Sequence, residues 1–181
     1  MQDDDVHLVP LASAGDRPAL TLLYERYRGP LFAFCLRILT DASLAEDAVQ
    51  ETFLKLRSEG LGITKPGALK QWLYKVARNE ALGMIRRRRN GTQVDPDSVW
   101  DEETPQSELE RKDEGAVVRA IIGELKPEYR EVIILREYDG LSYAEIAAVT
   151  GDSESSVKSR LFKARKALAE RLAPLWKERV E

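Results

Sequence analysis

The sequence predicts an all-α protein: two small helical bundles joined by a flexible acidic linker, the C-terminal bundle a helix-turn-helix. Three observations predict it. Apolar residues recur at helical spacing along most of the chain, with no β-alternation longer than a few residues. Residues 91–114 carry nine acids against two bases, a net of −7, with two prolines and few apolar groups. Such a segment repels itself and buries little. Finally, the run LSYAEIAAVTGDSESSVKSRL, residues 141–161, has the pattern of two short helices around a tight turn.

The first bundle spans residues 1–90. Asp16 is placed to cap a helix with Pro18 in its first turn, and Leu20, Leu23, Tyr24 and Tyr27 give its apolar face. Gly29-Pro30 predicts an interruption, after which Leu31 to Leu39 resumes as an apolar helix. Ser43 with Glu46 predicts a capping box opening a helix from about Leu44 to Arg57. Ser58 to Gly67, with three glycines and a proline, predicts a loop. Leu69, Trp72, Leu73, Val76, Leu82 and Ile85 then mark a helix from about Ala68 to Arg89.

The second bundle spans 115–181. Val118, Ile121, Ile122 and Leu125 mark one helix, and Pro127 suits the first turn of the next. Asp139-Gly140 predicts a turn. Ser142 and Glu145 form a capping box for the first helix of the helix-turn-helix. Gly151 tolerates the positive φ its turn needs, and Asp152 or Ser153 caps the second helix. That helix buries Val157 and Leu161 and runs toward Leu172, ahead of Pro174.

Composition excludes several classes. A net charge of −3 over 181 residues is not that of a uniformly basic DNA-coating protein. A single cysteine, Cys35, allows no internal disulfide and fits a reducing cytoplasm. One histidine and one cysteine leave no zinc site, and no cofactor is expected. The acidic start, MQDDD, is unlike a basic signal peptide, and no apolar run approaches the roughly 20 residues of a membrane span. No phosphate loop or nucleophile–base motif marks an enzyme.

Candidate binding residues fall into three groups. On the second helix of the helix-turn-helix, Lys158, Arg160 and Lys163 are suited to phosphates or guanine edges. Ser155 and Ser159 are short enough to let that helix sit deep in a groove. Phe162 suits either a thymine methyl or internal packing. The second group closes the first bundle: Lys75, Arg78, Asn79 and Arg86-Arg87-Arg88-Arg89. Two arginines would satisfy a helix C-terminus; four, with Lys75 and Arg78 upstream, point to a nucleic-acid backbone. Trp72 reads as core, and Tyr74 as either core or contact. In the third group Asp47, Gln50, Glu51 and Lys55 share one helix side with Leu54, the pattern of a wet face unless a partner covers it.

Together, the two ends carry a resemblance. AEDAVQETFL (45–54), then QWLYKVARN (71–79) and the arginine run, resemble region 2 of bacterial sigma factors. LSYAEIA (141–147) with VKSRLFKAR (157–165) is similar to their region 4. The order and spacing resemble the short extracytoplasmic-function (ECF) type, over about residues 8–90 and 115–173. The resemblance implies a transcription initiation factor, not an enzyme. It implies that Asp47, Gln50, Glu51, Phe53 and Leu54 dock on the β′ clamp helices of core RNA polymerase, with Phe53 equally suited to the core. Lys75, Arg78, Asn79, Arg86 and Arg87 would hold promoter DNA at the −10 element. The loop 59–66 would capture a flipped base, although Glu59-Gly-Leu-Gly-Ile63 is poor in donors for that task. Ser155, Lys158, Ser159, Arg160, Phe162 and Lys163 would read the −35 element. The β flap and an anti-sigma factor are further implied partners, and the cytoplasm the implied location. The competing reading is a stand-alone helix-turn-helix regulator, which binds its operator without polymerase.

Overall fold

In a computed structural model, residues 5–65, 67–90 and 114–177 are described. The chain separates into two compact units, one built mainly from residues up to Asn90 and one mainly from residues 114–177. All regular elements among the described residues are helical. Apart from Glu114, the expected acidic linker lies outside them.

The N-terminal unit holds α1 (Leu8–Ser13), α2 (Arg17–Leu39), α3 (Ala42–Glu59) and α4 (Ala68–Asn90). α2 starts as the sequence predicts: the Asp16 carboxylate accepts from the Ala19 N–H at 2.8 Å. The interruption at Gly29-Pro30 does not occur, and α2 runs through Pro30. Leu23, Tyr27, Leu31, Phe34, Cys35 and Ile38 form one buried stripe across that point. A break would rotate the second half of the stripe away from the core. Gly29, lacking a Cβ, also relieves the clash that normally keeps the residue before proline out of the helical region. Burial of the stripe therefore outweighs the missing hydrogen bond.

The capping box at Ser43 is also corrected. Asp41 is the cap, its carboxylate accepting from Leu44 N–H at 3.1 Å, and Ser43 lies inside the first turn. Both residues are good caps; burial of Ala45, Ala48 and Val49 selects the register. The expected loop is shorter than predicted. α3 continues to Glu59, and a 3₁₀ turn, Gly60–Gly62, follows. α1 was not foreseen. It buries Val9 and Ala12, and just before it Asp5, 1% exposed, accepts from the Tyr27 hydroxyl at 2.8 Å and pairs with Arg26.

The C-terminal unit holds α5 (Glu114–Gly123), α6 (Pro127–Ile133), α7 (Tyr143–Thr150) and α8 (Glu154–Lys177). Pro127 occupies the first turn of α6, as expected. Arg130 is 5% exposed and donates to the Gly123 and Leu125 carbonyls, satisfying acceptors where α5 ends. A π-helical stretch, Ile134–Tyr138, extends α6. α8 passes through Pro174 where the sequence predicts an end shortly before it. Val132, Ile133, Ile134, Leu135, Leu141, Ile146, Val157, Leu161 and Ala164 fill the core of this unit, each at most 1% exposed. Truncating one of its leucines or isoleucines to alanine costs about 2–5 kcal/mol.

Candidate nucleic-acid and polymerase interface

The helix-turn-helix is built by local hydrogen bonds the sequence specifies. Ser142 Oγ accepts from Glu145 N–H at 3.2 Å, and the Glu145 carboxylate accepts from Ser142 N–H at 2.7 Å. This reciprocal pair satisfies two donors at the start of α7. Gly151 takes φ +80°, and Asp152 N–H donates to Ala147 O at 3.1 Å, turning the chain. Ser153 caps α8, its hydroxyl accepting from Ser156 N–H at 3.2 Å.

α8 has two distinct faces. Val157, Leu161 and Ala164 are buried on one. Helical spacing puts Ser155, Lys158, Ser159, Phe162 and Lys163 on the opposite face, and all five are exposed. Phe162 is 72% exposed, so it does not pack internally. An apolar ring held in solvent among lysines and serines suits a base-edge methyl group. Arg160 differs. It lies on the flank, where its guanidinium forms a two-pronged ion pair with Asp152 at 2.5 and 2.9 Å.

Cations also gather beside α8. The π-helical stretch carries Arg136, whose guanidinium sits over the Tyr143 ring at 5.1 Å and donates to Leu141 O at 2.8 Å. The Lys158 ammonium lies 5.7 Å from the same ring, a cation–π approach that limits its wandering. Arg165 donates to Glu137 at 2.7 Å, and that hydrogen bond raises its pKa further. Sequence reasoning missed Arg136, because the π-helical register that presents it leaves no periodic signal, and Tyr143, because its contact with Arg136 and Lys158 joins three separate elements.

On α4, Lys75, Asn79 and Arg86 form one exposed row, with half-buried Arg78 beside them. Arg87 is exposed but turned off that row. With Arg88 it lines an open cleft of about 450 Å³ together with Asp41, Leu44, Asp47 and Met84. The arginine run therefore divides between two sides of α4. The Arg89 side chain lies outside the described residues. Tyr74 belongs to the core: it is 1% exposed and meets Phe34 edge-on at 5.2 Å. Trp72 is half-buried.

On α3, Asp47, Gln50, Glu51 and Leu54 form one exposed row, with Leu54 at 59% exposure. Phe53 is not part of it. It is 6% exposed and packs edge-on against Tyr24 at 5.0 Å, holding the row up from below. Lys55, at the border of the row, bonds Glu80 on α4 at 2.6 Å, and that bond raises its pKa. Among the described residues no cluster of His, Cys, Asp or Glu could hold a metal ion. No described helix is long and apolar enough to cross a membrane.

A helix-turn-helix with an exposed serine–lysine–phenylalanine face, accompanied by a separate helical module, defines a DNA-binding protein of the helix-turn-helix class. Comparison with known proteins narrows this. Residues 23–91 match the family described as Sigma-70 region 2, and residues 116–168 that described as Sigma-70, region 4. RNA polymerase sigma-H factor of Pseudomonas aeruginosa is 31% identical over 189 residues, covering 98% of each chain. ECF RNA polymerase sigma-E factor of Escherichia coli is 30% identical, over 94% of this chain and 95% of the relative. Among solved structures, sigma factor RpoE in complex with the anti-sigma factor NepR from Bartonella quintana superposes with a TM-score of 0.68. It is 29% identical, over 84% of this chain and 96% of that one. CnrH in complex with the cytosolic domain of CnrY gives 0.70 at 25% identity, over 94% and 97%. The chain belongs to the sigma-70 family of RNA polymerase sigma factors, in its extracytoplasmic-function group.

Proposed function

We propose that this chain binds core RNA polymerase, directs it to specific promoters and assists their melting. Residues 1–90 form the unit that docks on polymerase and engages the −10 element, 91–114 a connecting acidic tether, and 115–181 the unit that engages the −35 element. In this reading Asp47, Gln50, Glu51 and Leu54 meet the β′ clamp helices, with Phe53 supporting them from the core. Lys75, Arg78, Asn79 and Arg86 hold the melting strand, with Arg87 at its margin. Ser155, Lys158, Ser159, Phe162 and Lys163 read the −35 element from the major groove, and Arg160 flanks them. The chain supplies promoter choice, and the polymerase it joins supplies the chemistry in the cytoplasm. The β flap is a second docking point on that enzyme. A partner of the anti-sigma kind, as in the RpoE complex, holds the chain until an envelope or stress signal releases it.

The observation that carries this reading is α8: a fully buried face behind a solvent-facing row of two lysines, two serines and an exposed phenylalanine. The test is run-off transcription with purified core polymerase on a promoter with intact or scrambled −35 element. Lys158→Ala lowers transcription from the intact promoter about 5–150-fold, given roughly 1–3 kcal/mol for a good base contact. Core binding by the variant stays unchanged. Loss of core binding in that variant contradicts the assignment of α8 to DNA.

A further inference from the structure

Arg160 sits within the sequence stretch expected to read DNA, yet the fold ties it to Asp152 by both carboxylate oxygens, at 2.5 and 2.9 Å. Both side chains keep some solvent access, 31% for Arg160 and 22% for Asp152. Partly exposed pairs contribute little to stability, so the main consequence of this one is electrostatic. The Asp152 carboxylate held against both prongs of this arginine offsets much of its attraction for a phosphate. Its neighbours on the groove-facing side, Lys158 and Lys163, have no such carboxylate clamp. Asp152 also lies in the turn just ahead of α8, where a free arginine one face over would otherwise add sequence-independent attraction.

We propose that Asp152 is a specificity-determining residue: it neutralises Arg160 and so keeps that arginine from gripping the DNA backbone indiscriminately. Phosphate contacts position a protein without carrying sequence information, so silencing one raises the share of binding owed to base contacts. The inference rests on α8 being the helix that enters the −35 groove.

The test measures the salt dependence of DNA binding by the full chain assembled with core polymerase. The probes are a promoter duplex and the same duplex with a scrambled −35 element. Arg160→Ala alone would bare the Asp152 carboxylate beside the DNA, so the charge-neutral comparison is the double variant D152N/R160A. Its slope of log K against log salt matches the parent's, because Arg160 makes no phosphate contact there. Asp152→Asn frees Arg160 and steepens the slope by about 0.9, one phosphate contact. Between 50 and 200 mM salt that adds a loss of about 3.5-fold, and preference for the promoter over the scrambled duplex falls. A slope that flattens below the parent's in D152N/R160A, or stays unchanged in Asp152→Asn, overturns the inference. Lys158→Ala separates this from failure of the underlying reading. Reduced preference for the promoter over the scrambled duplex there, with Asp152→Asn silent, sinks the role of Asp152 alone. No response to Lys158→Ala removes α8 from the groove and overturns both.

Discussion

A methyl group added at Gly60 would meet Leu56 Cδ1 and Ser13 Oγ at 3.1 Å and Val9 Cγ1 at 3.2 Å. The backbone there, at φ −68°, suits any residue, so the requirement for glycine is the close approach of α1 to the end of α3. Gly60→Ala is expected to destabilise by about 1–3 kcal/mol through overpacking, read as a lower urea midpoint. Gly83 is the contrast: inside α4, with only the Arg87 side-chain tip within 4 Å, its change to alanine stabilises by roughly 0.5–1 kcal/mol. Tyr27 gives a pH prediction. Burial, then the hydrogen bond to Asp5, holds its hydroxyl well above the usual tyrosine range. With the folded pKa raised, the contribution is complete below about pH 10, the unfolded value. It is lost as pH rises beyond that. Tyr27→Phe removes this alkaline loss and costs about 1 kcal/mol at neutral pH, because Asp5 loses a donor. Denaturation midpoints between pH 7 and about 11 check both effects.

Pro30 sets the prediction for α2. It removes one backbone hydrogen bond from a helix that the buried stripe keeps continuous. Pro30→Ala restores the donor and is expected to stabilise by about 1–3 kcal/mol, seen as a higher urea midpoint with unchanged slope. A neutral or destabilising result would show that the proline's shape is needed where it stands. The same helix shows what local reading of a sequence captures. Asp16 capping Ala19, the Ser142–Glu145 box and the Gly151 turn involve groups within five residues, so residue type and spacing suffice. The choice of Asp41 over Ser43 as cap, and the passage of α2 through Pro30, are decided by packing against other helices. α1 is six residues long and is held by burial of Val9 and Ala12, which a short window does not register. Likewise, the exposed rows on α3, α4 and α8 follow from helical periodicity. The Asp152–Arg160 pair spans a turn whose geometry had to be seen, and the burial of Phe53 and Tyr74 depends on Tyr24 and Phe34 from another helix.

Across the whole chain, recognition is divided between units that each present a modest surface. Binding modules joined in one chain gain avidity only when their target sites are held at a matching spacing. Core polymerase supplies that arrangement in the proposed assembly. Charge reversal on the α3 row, D47K with E51K, is expected to weaken core association at least tenfold. Rim charges act chiefly on association rate, so the defect grows as salt is lowered. Duplex binding through α8 is unaffected. The measurement that bears most directly on promoter-directed initiation is strand opening at the −10 element, followed by fluorescence of a base analogue placed there. Core polymerase and this chain together are predicted to open the −10 bases on a promoter duplex, while neither does so alone. Tight sequence-specific binding by the chain without polymerase, with no opening when polymerase is added, would contradict it.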